Sequence, residues 1–381
     1  MDITTIEALY LAHKEQALLH RYINNNSIKP LLDKLPRTVQ VDVIGHSVLN
    51  APIYGVKLGS GPKKILMWSQ MHGNESTTTK AVFDLLNTLT DNKAGVNSIL
   101  KDCTLYIIPI LSPDGAMAYT RINANKVDLN RDAQALTQPE SKVLRQVYNS
   151  FKPDFCFNLH GQRTIFSAGE TQNIATVSFL SPAQDKACTI TPNRKIAMEV
   201  IAVMNKALQQ VIPNQVGVYD DAFNINCVGD TFQTENTPTI LFEAGHYKND
   251  YAREQTRQYI YTSLWSALQY IAANTVTGAY YKPYLEIPEN GKCFLDIILR
   301  NVNIKGLKTD IGFLFVETLV NNKIEFIPNV VNIEDLTAYY GHREIDANNN
   351  MVLNKQGLDL ELGSKNNIIV INNKEIQLNI K

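Results

Sequence analysis

The sequence has no run long and apolar enough to span a bilayer. Its first residues, MDITTIEALYLAHKEQALLHRY, carry acids early and hold no uninterrupted apolar core ahead of a small-residue cleavage site, so no secretory leader is read there. Cysteine is sparse. Cys103, Cys156, Cys188, Cys227 and Cys293 are scattered and odd in number, forming neither a Cys-x-x-Cys metal knuckle nor a disulfide framework. Reduced thiols in a cytoplasmic protein are the expectation. An excess of either charge is also missing. Lys+Arg total 36 against 37 Asp+Glu, a net charge of -1, which gives no electrostatic footprint for nucleic acid or an anionic membrane. There is no internal repeat and no low-complexity tract.

What is there is an ordinary globular composition: 381 residues, 44% hydrophobic and 19% charged. The length allows one large core plus an appendage. Residues 5–22 place Ile6, Leu9, Tyr10, Leu18, Leu19 and Tyr22 at helical spacing and predict an amphipathic helix, which Pro30 and Pro36 end by opening an extended stretch. Strand-like runs at 39–48 and 53–59, parted by Asn50-Ala51-Pro52, predict an antiparallel start. A second rhythm follows. Apolar runs of strand type at 64–71, 105–111, 155–159 and 239–242 alternate with helical spacing at 75–89, 138–151, 194–211 and 251–273. That alternation predicts an α/β core, a mixed and mostly parallel sheet flanked by helices. Past residue 274 the texture changes to short β-favouring runs (CFLDIIL, IGFLFVE, KIEFI, LDLEL, NIIVI, EIQLNI) between Asn, Gly, Lys and Asp turns. The reading is a catalytic domain over 1–274, with 1–36 as N-terminal helix and lead-in, and a small mainly-β accessory domain over 275–381.

In open α/β sheets ligands bind beyond the carboxyl ends of strands, and His72, His160 and Glu243 stand at such ends. His72 and Glu75, three apart at a strand–helix junction, can converge on one zinc ion. Taken alone the pair is as readily a loop histidine and a helix-capping acid. A catalytic zinc needs a third protein ligand, and His160, followed by Gly161, is a candidate. His46 and His246 are rivals, the latter because Glu243-Ala244-Gly245-His246 repeats the pairing. Glu243 follows the apolar run 239–242, so a carboxylate is carried to the mouth of a sheet. There burial raises its pKa and a nearby cation lowers it, which suits proton transfer. The polar loop 121–131 holds Arg121 and Arg131; arginines in such loops are usually solvated, but a guanidinium can also fork a substrate carboxylate or hold an oxyanion.

The order His72-x-x-Glu75, Ser112-Pro113-Asp114-Gly115, Arg121 to Arg131, His160 and Glu243 resembles the carboxypeptidase A-like family of zinc metallopeptidases. Within it, Asp128-Leu129-Asn130-Arg131 resembles that family's Asp-x-Asn-Arg motif. The likeness runs from about Ile65 to Leu268. It implies an α/β/α sandwich and one Zn2+ ion held by His72, Glu75 and His160. It implies that Asp128 orients His72, that Arg121 polarises the scissile carbonyl, and that Asn130 and Arg131 clasp a terminal carboxylate of the substrate. Glu243 is then the general base and later the acid. Tyr219 lies about the right distance before Glu243 for the family's substrate-capping tyrosine. The short gap between Glu75 and His160 resembles the compact bacterial murein-peptide amidases, and Asp132 stands where many relatives have Asn.

The expected activity is a zinc-dependent hydrolase that cleaves a peptide or amide bond near a free carboxylate. The alternative is a zinc deacylase of N-acyl amino acids, similar to aspartoacylase and the desuccinylases, which use a similar His/Glu/His site. A metal-binding module without catalysis would need a missing catalytic residue, and none is missing. The expected partners are a peptide or acyl-amino-acid substrate with a free carboxylate, and neither nucleic acid nor a membrane.

Overall fold

The computed structural model describes residues 2–91 and 97–380. Its N-terminal part is built on strands β1 (Gln40–His46), β2 (Pro52–Gly59), β3 (Lys63–Ser69), β4 (Cys103–Ile108) and β5 (Phe155–Gly161). After the short β6 (Ser167–Ala168) come β7 (Val177–Leu180), β8 (Val216–Val218) and β9 (Thr239–Ala244). All but β6 join one eight-stranded sheet in the order β1-β2-β4-β3-β5-β9-β7-β8. The antiparallel start at β1/β2 is present. The central strands β4, β3, β5 and β9 run parallel, so their carboxyl ends share one edge.

Helices α1 (Ile3–His13), α2 (Asn25–Leu32), α3 (Thr77–Thr90), α4 (Asn97–Asp102), α5 (Pro113–Ala118), α6 (Pro139–Phe151), α7 (Pro192–Leu208), α8 (Val228–Thr234) and α9 (Glu254–Ala273) cover the sheet. Alternation along the strands decides which layer each side chain meets. Ile65 and Met67 of β3 join a core with α1, α3, α7 and α9. Leu66 and Trp68 join the opposite core with Leu144, Val147 and Phe151 of α6 and Phe232 of α8. Strands buried on both faces must be apolar throughout, which is why they read as unbroken runs. The expected mixed α/β sheet between helical layers is thus what forms.

The N-terminal segment differs from the expectation. The helix predicted over 5–22 ends at His13, and Pro30 lies inside a second helix, α2, rather than opening an extended stretch. The backbone carbonyls of Glu15 and Leu18 accept from Arg257 of α9 at 2.8 and 2.5 Å. A continuing helix would have used those carbonyls internally. Asn24 then starts α2 with a capping box closed by Ser27.

A C-terminal β domain follows, made of β10 (Asn290–Gly291), β11 (Phe294–Ile304), β12 (Leu307–Val320), β13 (Lys323–Glu334), β14 (Tyr340–Asp346), β15 (Val352–Asn354), β16 (Ile368–Ile371) and β17 (Lys374–Gln377). It has a sheet β13-β12-β11-β14 and a smaller β15-β16-β17 sheet, and its core includes Ile297, Phe313, Val330 and Ile369. The run LDLEL forms no strand beyond one isolated bridge at Asp359, and Gly357 and Gly363 beside it take the left-handed φ of 80°. The chain after α9 stays on the first core: Tyr284 and Ile287 are buried in it, and β10 pairs with β6. Among the described residues no helix is long and apolar enough to cross a membrane. All five cysteines are free.

Candidate active site

Parallel strands place their carboxyl-terminal residues side by side. Ser69 pairs with Leu159 across β3/β5, and His160 pairs with Glu243 across β5/β9. After Ser69 the chain turns sharply. Gln70 takes a positive φ of 45°, and its buried amide bonds to the carbonyls of Ile23 and Gly73 at 3.0 and 2.8 Å. Gly73 packs backbone to backbone on Gly115: a Cβ there would lie 1.9 Å from the Gly115 carbonyl carbon, so only glycine fits. Asp114 anchors the start of α5, where Gly115 sits, by accepting from Ser47 Oγ at 2.7 Å and Leu49 N at 2.9 Å. The result is a fixed turn that presents His72 and Glu75 at the sheet's edge, just before α3.

There His72 Nδ1 and His160 Nδ1 are 3.1 Å apart. Glu75 reaches both rings, Oε1 to His72 and Oε2 to His160, each at 2.9 Å. One ligand atom from each of the three residues lies within 4.8 Å of the others. Ligand atoms about 2.0–2.2 Å from a tetrahedral zinc stand roughly 3.3 Å from one another, so this donor set fits such an ion with a fourth position left over. His72 and His160 are almost wholly buried. Asp128 fixes the first ring by taking a bond from His72 Nε2 at 2.9 Å, the usual way a ligating imidazole is oriented. Of the rivals, His46 is exposed on β1. His246 is buried against Tyr251 and His342, with ring centroids 4.5 and 4.2 Å away.

Glu243 is the neighbour of His160 in the sheet, and its Oε2 is buried with no partner. Burial first, and then the charge of Glu75, push it well above the ordinary carboxylate range, while Arg121 and Arg253 oppose. Burial also pushes Asp128 up, but the bond from His72 and the charges of His72 and Arg121 prevail and hold it well below that range.

The loop 121–131 closes over these groups. Arg121 is half-exposed and bridges Asp128 Oδ2, at 3.0 Å, and Glu75 Oε1, at 3.4 Å. Asp128 caps a single 3-10 turn, Leu129–Arg131, by accepting from Asn130 N. Asn130 Oδ1 accepts from Val228 N at 3.0 Å, which leaves its NH2 group for the cleft. Arg131 is exposed and its guanidinium donates to the Asn130 carbonyl at 2.8 Å. Asp132 is buried and accepts from Thr137 N, Thr137 Oγ1 and Gln138 N, so its carboxylate shapes the loop.

A cleft of about 570 Å³ collects these residues: His72, Glu75, Arg121, Asn130, Arg131, His160, Tyr219 and Glu243 all line it. Tyr219 packs edge-on against Phe166, centroids 5.2 Å apart. Burial and the charges of Glu243 and Glu75 keep its phenol protonated. Among the cleft residues that escaped sequence reasoning are Arg21, Asp230, Arg253 and Glu317. Asp230 carried a faint signal, an acid in the first turn of a short helix. Burial pushes its carboxyl up to about 6, against a backbone bond from Asn224. The other three come from distant parts of the chain and had no local signature.

Several known proteins are similar. Carboxypeptidase SOL1 of Arabidopsis thaliana is 28% identical over 167 residues, which are 38% of this chain and 34% of that protein. Probable carboxypeptidase 2 of Arthroderma benhamiae is 27% identical over 110 residues, 28% of this chain and 20% of its own. The chain thus spans about a fifth of the length of that relative. Gamma-D-glutamyl-L-diamino acid endopeptidase 1 of Lysinibacillus sphaericus is 33% identical over 98 residues, 24% of each chain. Among solved structures, carboxypeptidase A from Helicoverpa armigera superposes with a TM-score of 0.55 at 16% identity, covering 72% of this chain and 81% of its own. A metallo-carboxypeptidase from Burkholderia cenocepacia gives 0.51 at 18%, covering 64% and 67%. These likenesses show the fold. The family model for zinc carboxypeptidase matches residues 25–267, more than half of the sequence, and on that match the chain belongs to the zinc carboxypeptidase family.

Proposed function

We propose that this chain hydrolyses a peptide bond beside a free substrate carboxylate, using one zinc ion held by His72, Glu75 and His160. The observation that carries the reading is the meeting of two imidazole Nδ1 atoms and one carboxylate at 2.9–3.1 Å, with Glu243, whose Oε2 has no partner, beside them in the sheet. The bound ion would polarise the scissile carbonyl and make water acidic enough to lose its proton near neutral pH. Glu243, whose raised carboxyl the ion's charge would lower again, takes that proton and passes it to the leaving amine. Its buried position keeps the proton-accepting oxygen free of competing protein donors. Arg121 faces the carbonyl oxygen as charge develops there. Arg131 and Asn130 hold the substrate's carboxylate, and Tyr219 covers the bound residue. Free thiols in a chain without disulfides support a reducing, cytoplasmic setting.

Among peptides, those of the γ-glutamyl-diamino acid type are the first to screen, given the Lysinibacillus relative. The test compares a peptide with a free C-terminus, the same peptide amidated, and a set of N-acyl amino acids. Cleavage of the free acid at least 10-fold faster in kcat/KM than the amide, with that margin lost in Arg131→Gln, is expected. Turnover of N-acyl amino acids with no peptide cleaved would replace this reading with the deacylase.

A further inference from the structure

At the ends of β5 and β9 the Ala244 carbonyl accepts one backbone bond, from Gln162 N at 3.0 Å, and the Gln162 carbonyl lies just past the last ladder pair. A single buried side chain takes both. Arg253, 2% exposed, donates Nη1 to Ala244 O at 2.8 Å and Nη2 to Gln162 O at 3.0 Å. Its guanidinium thus adds a rung one step beyond the pair that matters, since His160 and Glu243 face each other next along the register. Arg253 itself sits in the left-handed region, φ 59°, at the start of α9, a conformation that costs energy in a non-glycine residue and persists when surroundings impose it.

No carboxylate forms an ion pair with Arg253 among the described residues. Burial, and then the charge of Arg21, pull it down to about 10, while Glu317 and Asp250 oppose. Arg21 is itself buried and pairs with Glu317 at 3.0 Å. Glu317 also accepts from Tyr119 Oη. It belongs to β12, in the C-terminal domain. The domain therefore supplies the carboxylate that pairs with Arg21 in the cleft wall, and Glu317 and Asp250 both oppose the loss of charge on Arg253. The domain also holds the segment before α9, where Tyr251 Oη donates to Asp296 at 2.9 Å, and the segment after β5, where His342 Nε2 bonds Thr164 O at 2.8 Å.

We propose that Arg253 is a positioning residue for catalysis, clamping the strand ends that carry His160 and Glu243, and that the C-terminal domain takes part in the reaction's geometry through Glu317. Substrate need not touch either residue. This rests on the reading of His160 as a ligand and Glu243 as the base. A displacement of about 1 Å in such groups can lower a rate roughly 100-fold, and loosening a ligand's support weakens metal binding about 10-fold or more.

The test uses the full-length zinc-loaded chain and the variants Arg253→Met, Arg253→Lys and Glu317→Gln, with Glu243→Gln in parallel. In Arg253→Met we expect kcat at saturating zinc to fall about 100-fold, KM to change less than about 2-fold, and zinc affinity, read by chelator competition, to drop about 10-fold. Arg253→Lys, which keeps a charge and a donor, should recover much of the loss. Glu317→Gln should lower kcat about 10-fold at unchanged KM. Unchanged kcat and zinc affinity in folded Arg253→Met overturn the clamp, as does a raised KM with kcat intact. If that variant does not fold, Glu317→Gln decides: a wild-type kcat overturns the domain's part. Full activity in Glu243→Gln would instead sink the underlying base assignment and leave the Arg253 result standing on its zinc affinity.

Discussion

Asp128 serves three groups with two oxygens. Oδ1 accepts from His72 Nε2 and from Asn130 N, both at 2.9 Å, and Oδ2 receives Arg121. One side chain thus sets the ring of His72, the proposed metal ligand, the turn that presents Asn130, and the reach of Arg121. Asp128→Asn keeps the size but turns one acceptor into a donor. We expect zinc affinity to fall about 10- to 100-fold, measured by competition with a chromogenic chelator; unaltered affinity would show that the contact is incidental. In the sequence, His72 and Glu75 drew notice by their local spacing, which alone was as readily a loop histidine and a capping acid; Asp128, Asn130 and Arg131 were singled out by their resemblance to the Asp-x-Asn-Arg motif. Arg21 and Glu317 were not legible, being 296 positions apart. Neither carries a pattern of its own, and only the packing of the C-terminal domain brings them to one wall.

At the scale of elements, α9 ties the molecule together through its first turn. Arg257 forks onto Asp84 of α3, at 2.6 and 2.5 Å, with both side chains fully buried. Removing Asp84 leaves the buried Arg257 with only the longer contact to Glu254, at 3.3 Å. Asp84→Ala should lower unfolding stability by about 3–5 kcal/mol in urea titration, and a change below about 1 kcal/mol would mean that water reaches the site. Beside it, burial pushes Glu254 up, but the charge of Lys80 and bonds from Lys14 and Lys80 prevail and hold its carboxyl at about 2. The folded value lies below the unfolded one of about 4.3. Its stabilisation is therefore fully present above that pH and is lost as pH falls towards 2. Glu254→Gln should remove that share, on the order of 2 kcal/mol at pH 7, and flatten the stability curve between pH 4.5 and 2; parallel curves for the two proteins would refute the assignment. The buried strands were readable from unbroken apolar runs. The early end of α1 was not, since it depends on Arg257, which claims two carbonyls of residues 14–18 from the far end of the domain.

For the molecule as a whole, two levels of organisation separate. The family model covers residues 25–267, and within that span the parallel strands carry His72, His160 and Glu243 to one edge. The C-terminal domain lies beyond it, yet Glu317 reaches the same cleft. The texture change after residue 274 signalled a β region but gave no hint of where it would dock, because docking is a matter of tertiary shape. In the sequence the long α9 stood as the end of the catalytic part. In the structure Tyr284 and Ile287 still belong to its core, and β10 is paired to β6. The central claim concerns neither domain alone but the pairing of a three-residue zinc-ligand set with Glu243 as the base. It is tested most directly by measuring zinc content and peptide hydrolysis together in the wild type and in Glu243→Gln. The account predicts about one zinc per chain in both proteins and a kcat at least 100-fold lower in the variant; a zinc-free wild type, or a variant that cleaves at the wild-type rate, would contradict it.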